Sequence, residues 1–224
     1  RNVPSAFIWE YLNGWEIYGG LEAYAQLGFA GIIIDGLGTP GRGRAIHDVA
    51  YENIHGCAGL KDHVTAIPQL KKLYPFLDFD RFGIWGNSGG GCATARGMLE
   101  FPKVYKVGVA SAGNHDQRMY NGFWSERYYG LYAGHEDIYL PGDNTALAAN
   151  LKGKLLIVCG LMDDNVPMAQ SMRLVDALIR EDKDFDMLVL PRASHNVPTI
   201  PYFIRKKMEY FIEHLLTPAE RGEE

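Results

Sequence analysis

Five short apolar runs rich in β-branched and aromatic residues alternate along this chain with longer amphipathic stretches, and no other feature constrains the fold as strongly. The runs are Phe29 to Asp35, Arg81 to Gly86, Lys106 to Ser111, Lys154 to Gly160 and Phe185 to Leu190. Between and after them lie helical candidates: Trp15 to Leu27, Ala58 to Tyr74, Gly89 to Phe101, Pro167 to Glu181 and Pro201 to Leu216. Strands joined through helices run parallel, and a parallel sheet needs helices over both faces. The alternation therefore predicts an α/β domain with a mostly parallel sheet. Gly28 and Pro167 suit a helix stop and a helix start, whereas Pro68 is expected to kink or divide the second helix. At 224 residues, one well-buried domain accounts for residues 1–224 without a repeat or low-complexity linker.

Composition removes several classes of function. A formal charge of −5 with no run of Lys or Arg lacks the electrostatic footprint of a nucleic-acid or anionic-membrane binder. The longest apolar run, Leu155 to Met162, falls far short of the roughly 20 residues that cross a bilayer, and no charged-then-apolar signal segment opens the sequence. The composition is that of a soluble protein, compatible with cytoplasm or periplasm, and it leaves room for a homo-oligomer. Cys57, Cys92 and Cys159 are odd in number and widely spaced, which suits buried free thiols better than a disulfide framework or a zinc site. The Gly36 to Arg44 loop lacks both the P-loop ending and the GxGxxG helix start, so nucleotide binding is not expected.

The chemistry begins at Gly86-Asn87-Ser88-Gly89-Gly90, a G-x-S-x-G pattern between the expected strand RFGIWG and the expected helix GGGCATARGMLEF. That context is the one the motif requires, because the serine must sit on a sharp strand-to-helix turn whose small neighbours avoid collision with both elements. The turn places Ser88 at a helix N-terminus, where the Gly89 amide can stabilise a developing oxyanion. A serine hydroxyl attacks only when a base takes its proton and a carboxylate orients that base. Asp163, in the loop after KLLIVCG, and His195, in the loop after FDMLVLP, follow strands in the order Ser, acid, His. Asp164 beside Asp163 is an alternative acid. None of His47, His55, His63, His115, His135 and His214 follows the last strand, and His63 and His214 lie in helical stretches. The fold class implied is the α/β-hydrolase fold.

With these motifs in place, the chain resembles the catalytic domain of the prolyl oligopeptidase family of serine peptidases, in particular its dipeptidyl peptidase IV-like branch. The likeness rests on IIIDGLGTPGRG, KDHVTAIPQL, GNSGGG, SERYYG, GLMDDNVP and SHNVP, and covers nearly the whole length. It implies Ser88, Asp163 and His195 as the triad, choosing the first Asp of the pair. It also implies Tyr120 and Trp124 around a proline pocket, Val166 on its wall and Asn165 as a hydrogen-bonding partner of the peptide substrate. Gly89 stands where many relatives of that branch carry Tyr, and Trp124 where the family usually has Tyr, which alters the pocket wall and its depth. In the family a Tyr-Gly-Gly-Pro-like turn, whose Tyr is the second oxyanion donor, and a β-propeller precede the segment with which this sequence opens. The resemblance thus implies the catalytic part of a larger enzyme, without those leading strands.

The expected function is serine-type proteolysis, cleaving peptide bonds after Pro or a small residue through an acyl-enzyme, with no metal or organic cofactor. Two alternatives stand beside it. One is a carboxylesterase or acylaminoacyl-peptide hydrolase with the same triad, and the other is a non-catalytic binding domain that keeps the fold.

Overall fold

The computed structural model describes residues 21–39, 41–53 and 59–223. Four strands, β1 (Phe82–Asn87), β2 (Tyr105–Ser111), β3 (Lys154–Gly160) and β4 (Asp186–Leu190), form one parallel sheet in the order β1-β2-β3-β4. The helices among the described residues are α1 (Leu21–Gln26), α2 (Arg44–His47), α3 (Leu60–Leu73), α4 (Gly89–Glu100), α5 (Gly122–Tyr129), α6 (Glu136–Tyr139), α7 (Met168–Arg180) and α8 (Pro201–Leu215), with short 3-10 turns between them.

Two apolar clusters bracket the sheet, and alternate residues of the strands feed one or the other. Leu155 and Ile157 of β3 join Ile84, Met98, Leu99, Leu174 and Leu178 under α3, α4 and α7. Leu156 and Val158 join Val107, Val109, Phe203, Phe211 and Leu215 under α1 and α8. This is why KLLIVCG reads as a continuous apolar run: a parallel strand inside such a sheet is buried on both faces. Truncating one of these side chains, such as the fully buried Leu178, would cost about 2–5 kcal/mol.

Four of the five expected strands form. The fifth, Phe29 to Asp35, has no ladder partner among the described residues. Its composition favours extended backbone, but a strand exists only when a neighbour completes its hydrogen bonds. Here a cavity of about 370 Å³, lined by Phe29, Ile32, Phe79, Phe82 and Trp85 among others, lies between this segment and β1. The segment is held instead by α3: His63 Nε2 lies 2.9 Å from the Ile34 carbonyl, and the Leu37 N–H donates to Asp62 at 2.7 Å.

Pro68 neither divides nor ends α3, which continues through it to Leu73. The proline sits on the exposed side of the helix. Of the expected first helix, Trp15 to Gly20 lies outside the described residues. No helix among the described residues is long and apolar enough to cross a membrane. Cys92 and Cys159 are buried thiols, while Cys57 lies outside the described residues.

All four strands point the same way, so the segments that follow β1, β2, β3 and β4 emerge at one edge of the sheet. Those segments carry Ser88, Tyr120, Asp163 and His195 respectively.

Candidate active site

Ser88 occupies the single residue between β1 and α4, with φ 60° and ψ −124°. A non-glycine residue there carries strain of roughly 1–3 kcal/mol, tolerated only where the surroundings hold it. They do so from both sides: the Ser88 N–H donates to the Ser111 carbonyl at 2.9 Å, and the Cys92 N–H donates to the Ser88 carbonyl at 3.0 Å. The glycines are needed for space. A Cβ on Gly86 would run into the backbone of Gly90, and one on Gly91 into the Ser111 carbonyl. β1, β2 and the first turn of α4 therefore meet backbone to backbone, and the Ser88 side chain is left pointing out of the turn.

His195 reaches this serine from the loop after β4. Its Nε2 lies 2.8 Å from Ser88 Oγ, and its Nδ1 lies 2.9 Å from Asp163 Oδ2. A neutral imidazole serving both contacts donates from Nδ1 to the carboxylate and accepts the serine hydroxyl at Nε2, which is the state a general base requires. The Asp163 side chain is 1% exposed and that of His195 19%. Burial tends to raise the Asp163 pKa, but hydrogen bonds from His195, Val166 and Asn165 outweigh it and hold the carboxylate below its ordinary range. Asp164 is exposed and is not the residue that meets His195.

The competing histidines sit elsewhere. His63 is buried against Ile34, His115 is buried beside Asn144, His135 lies 2.8 Å from the Leu131 carbonyl, and His214 packs edge-on to Tyr210. His47 pairs with Asp48 at the surface, and His55 lies outside the described residues.

Gly89 is the first residue of α4, so its N–H is among those that a helix leaves without an internal partner. Tyr120 and Asn165 are brought together: the phenol donates to Asn165 Oδ1 at 2.6 Å. Burial is the main cause of a raised Tyr120 pKa, and the Asp163 charge adds to it. Trp124, in the first turn of α5, is half-buried, edge-on to Tyr120 at 6.3 Å and 4.7 Å from the Tyr128 ring. Val166 is 3% exposed, and its N–H donates to Asp163 Oδ1 at 2.8 Å.

One contributor escapes sequence reasoning. Asn87, the variable residue of the motif, accepts from Ser111 Oγ at 2.9 Å and donates from Nδ2 to the His195 carbonyl at 3.3 Å. It ties the Ser88 turn to the His195 loop. Its signal is only a polar side chain at the end of an apolar strand.

A histidine bridging a strained serine and a buried carboxylate, at the carboxyl edge of a parallel sheet, is the architecture of the α/β-hydrolase class of serine enzymes. Within that class the chain belongs to the prolyl oligopeptidase family, whose profile matches residues 15–217. Human dipeptidyl peptidase 8 is 28% identical over 199 residues, which take in 88% of this chain and 22% of that protein. Dipeptidyl peptidase family member 1 of Caenorhabditis elegans is 31% identical over 195 residues, or 85% of this chain and 24% of that protein. Among solved structures, Porphyromonas gingivalis dipeptidyl peptidase 4 matches with a TM-score of 0.76 and 29% identity over 82% of this chain and 26% of that one. The chain thus spans about a fifth to a quarter of the length of these relatives.

Proposed function

We propose that this chain is the catalytic part of a longer serine peptidase and that it cleaves peptide bonds after Pro or a small residue through an acyl-enzyme on Ser88. The observation that carries this reading is the bridging position of His195, within hydrogen-bond distance of Ser88 Oγ on one side and Asp163 on the other. In the acylation step His195 takes the Ser88 proton as Oγ attacks the substrate carbonyl carbon. Charge moves to the carbonyl oxygen, where the Gly89 N–H is one donor. The tetrahedral intermediate collapses as His195 gives its proton to the leaving amine. Water then enters, His195 removes its proton, and the acyl group is released as a carboxylic acid. Asp163 stabilises the imidazolium in both halves of the cycle without becoming protonated. No step of this cycle calls on a metal or an organic cofactor.

Tyr120, Trp124 and Val166 form the proposed substrate wall, and Asn165 the proposed partner of the substrate backbone. A flat proline ring is held well by aromatic faces, and Tyr120 and Trp124 present two of them inclined at 68° to each other. The similarity to dipeptidyl peptidases over most of the chain supports the peptide substrate.

Intact mass after incubation with a fluorophosphonate tests the chemistry, with Ser88→Ala as the comparison. A single adduct that disappears in the variant supports an acyl-transfer enzyme, and its absence from the unsubstituted protein favours the non-catalytic binding domain. Turnover of Xaa-Pro and Xaa-Ala anilides against a nitrophenyl ester then separates peptidase from esterase, because ester cleavage alone would overturn the peptidase reading.

A further inference from the structure

Beneath the mouth of the site lies a cluster of four charged side chains that the proposed cycle does not use. Asp116, whose side chain is 1% exposed, receives a forked contact from Arg118, with Nε to Oδ1 and one guanidinium nitrogen to Oδ2, both at 2.8 Å. Arg173 of α7 lies 2.8 Å from the same Oδ2. Arg118 also reaches Asp143 at 2.6 Å, and Asp143 accepts the N–H and hydroxyl of Thr145. Two buried carboxylates are balanced by two guanidinium groups that reach partly into solvent.

The backbone at Asp116 is held by the same helix. The buried Gln170 of α7 accepts the Asp116 N–H at 2.9 Å and donates to the Asp116 carbonyl at 3.0 Å, so one side-chain amide pairs with both backbone groups. α7 begins directly after the loop that carries Asp163, Asn165 and Val166. Four residues beyond Asp116, Tyr120 donates to Asn165 across the mouth. The segment after β2 and the loop after β3 are therefore joined twice, at depth through Asp116 and at the surface through Tyr120. The Gln170 pairing with Asp116 is buried, whereas Arg173 is 42% exposed and its contact is partly screened, so the buried amide pairing keeps more of its strength than the exposed contact at Tyr120.

We infer that Asp116, through Arg173 and Gln170, is a positioning latch that sets the spacing between the Tyr120 wall and the acid loop, and so governs substrate binding rather than the bond-breaking step. The identity of the wall rests on the peptidase reading above, but the mechanical coupling does not. Arg118 alone cannot supply it, because Arg118 and Asp116 lie on the same segment. Arg173 and Gln170 are the groups that cross to α7.

Arg173→Gln is the variant of choice, since it cuts the tie from α7 and leaves the Arg118 fork to balance Asp116, whereas Asp116→Asn strips the centre of the cluster and could prevent folding. Native-state hydrogen exchange reads the loop without requiring turnover. In Arg173→Gln the amides of Asn165 and Val166, which donate to Asp163 Oδ1, are expected to exchange about tenfold faster, those of Leu155 to Val158 at an unchanged rate, with Arg173→Lys restoring protection. KM for the best anilide is expected to rise about fivefold with kcat within twofold. Unchanged exchange at Asn165 and Val166, or acceleration spread equally over β3, would overturn the latch. Failure of Ser88 to take the fluorophosphonate would strike the peptidase reading instead and leave the exchange result to decide this one.

Discussion

Asp163 divides its two carboxylate oxygens between His195 and its own loop: Oδ2 faces His195 Nδ1 at 2.9 Å, while Oδ1 accepts the N–H groups of Asn165 and Val166 at 3.0 and 2.8 Å. The loop therefore fixes the carboxylate and the carboxylate fixes the imidazole. An amide at this position could donate to Nδ1 and turn the ring into the tautomer that cannot accept the serine proton. Asp163→Asn is expected to lower kcat by about 10³–10⁴ with the fold intact, and the exposed Asp164→Asn to stay within about twofold. Initial rates on the two variants check this, and a larger loss from Asp164→Asn would refute the assignment.

Asn87 connects Ser111 to the His195 carbonyl, so its removal should loosen the base without touching substrate. One neutral hydrogen bond contributes about 0.5–1.5 kcal/mol, which corresponds to a decrease in kcat of roughly twofold to tenfold for Asn87→Ala. KM should hold steady. Steady-state kinetics against the same anilide would show the split, and a change confined to KM would contradict it.

Tyr120→Phe removes the hydroxyl that holds Asn165 and keeps the aromatic face. If Asn165 meets the substrate backbone, losing its orientation should raise KM several-fold, an effect near 1 kcal/mol, and leave the rate of fluorophosphonate labelling of Ser88 unaltered. Labelling slowed in proportion to KM would place Tyr120 in the bond-breaking step instead.

The turn at Ser88 has no room for a methyl group at Gly91, whose added Cβ would meet the Ser111 carbonyl. Gly91→Ala is expected to cost at least about 3 kcal/mol, because overpacking against backbone cannot relax by a rotamer change. Gly122→Ala, in the first turn of α5, would bring its Cβ no nearer than 3.6 Å to Glu126 and should be neutral or slightly stabilising. Thermal melts of the two variants provide the contrast.

Burial holds the His115 imidazole down to a pKa of about 4, and the Asn144 amide donates to its Nδ1 at 3.2 Å. The folded protein thus binds a proton less readily than the unfolded chain, where histidine titrates near 6.5. The unfolded state holds more protons between those two values, so stability falls as pH drops from about 6.5 towards 4, by on the order of 3 kcal/mol, and His115 adds no further slope below that. His63, lowered chiefly by burial, acts in the same direction. Urea unfolding midpoints measured from pH 7 to pH 4 should decline for the parent and decline less for a His115→Gln variant.

How much of this was legible beforehand follows from the range of the interactions involved. The strand-to-helix turn at Ser88 needs glycines within a few residues of one another, and the four paired strands declare themselves as apolar runs, so both were readable locally. The meeting of Ser88, Asp163 and His195 could be read because each follows a strand, and strands of a parallel sheet deliver their loops to one edge. Phe29 to Asp35 reads as a strand equally well, yet pairing depends on a neighbour, and no property of those seven residues reports whether a neighbour stands within reach. The residue pattern alone left Asp163 and Asp164 side by side, because which carboxylate turns inward depends on the N–H groups of Asn165 and Val166. Asn87 and the latch at Asp116 were silent for the same reason. Their partners lie dozens of residues away, and Asn87, Gln170, Arg173 and Asp143 look like ordinary polar groups until the fold brings them to those partners. The sequence by itself determined the layers, the turn and the chemical types at the sheet edge, since these rest on local period and backbone sterics. Only the tertiary structure decided which polar groups meet, because distance and burial, not residue type, give a charge or a hydrogen bond its strength.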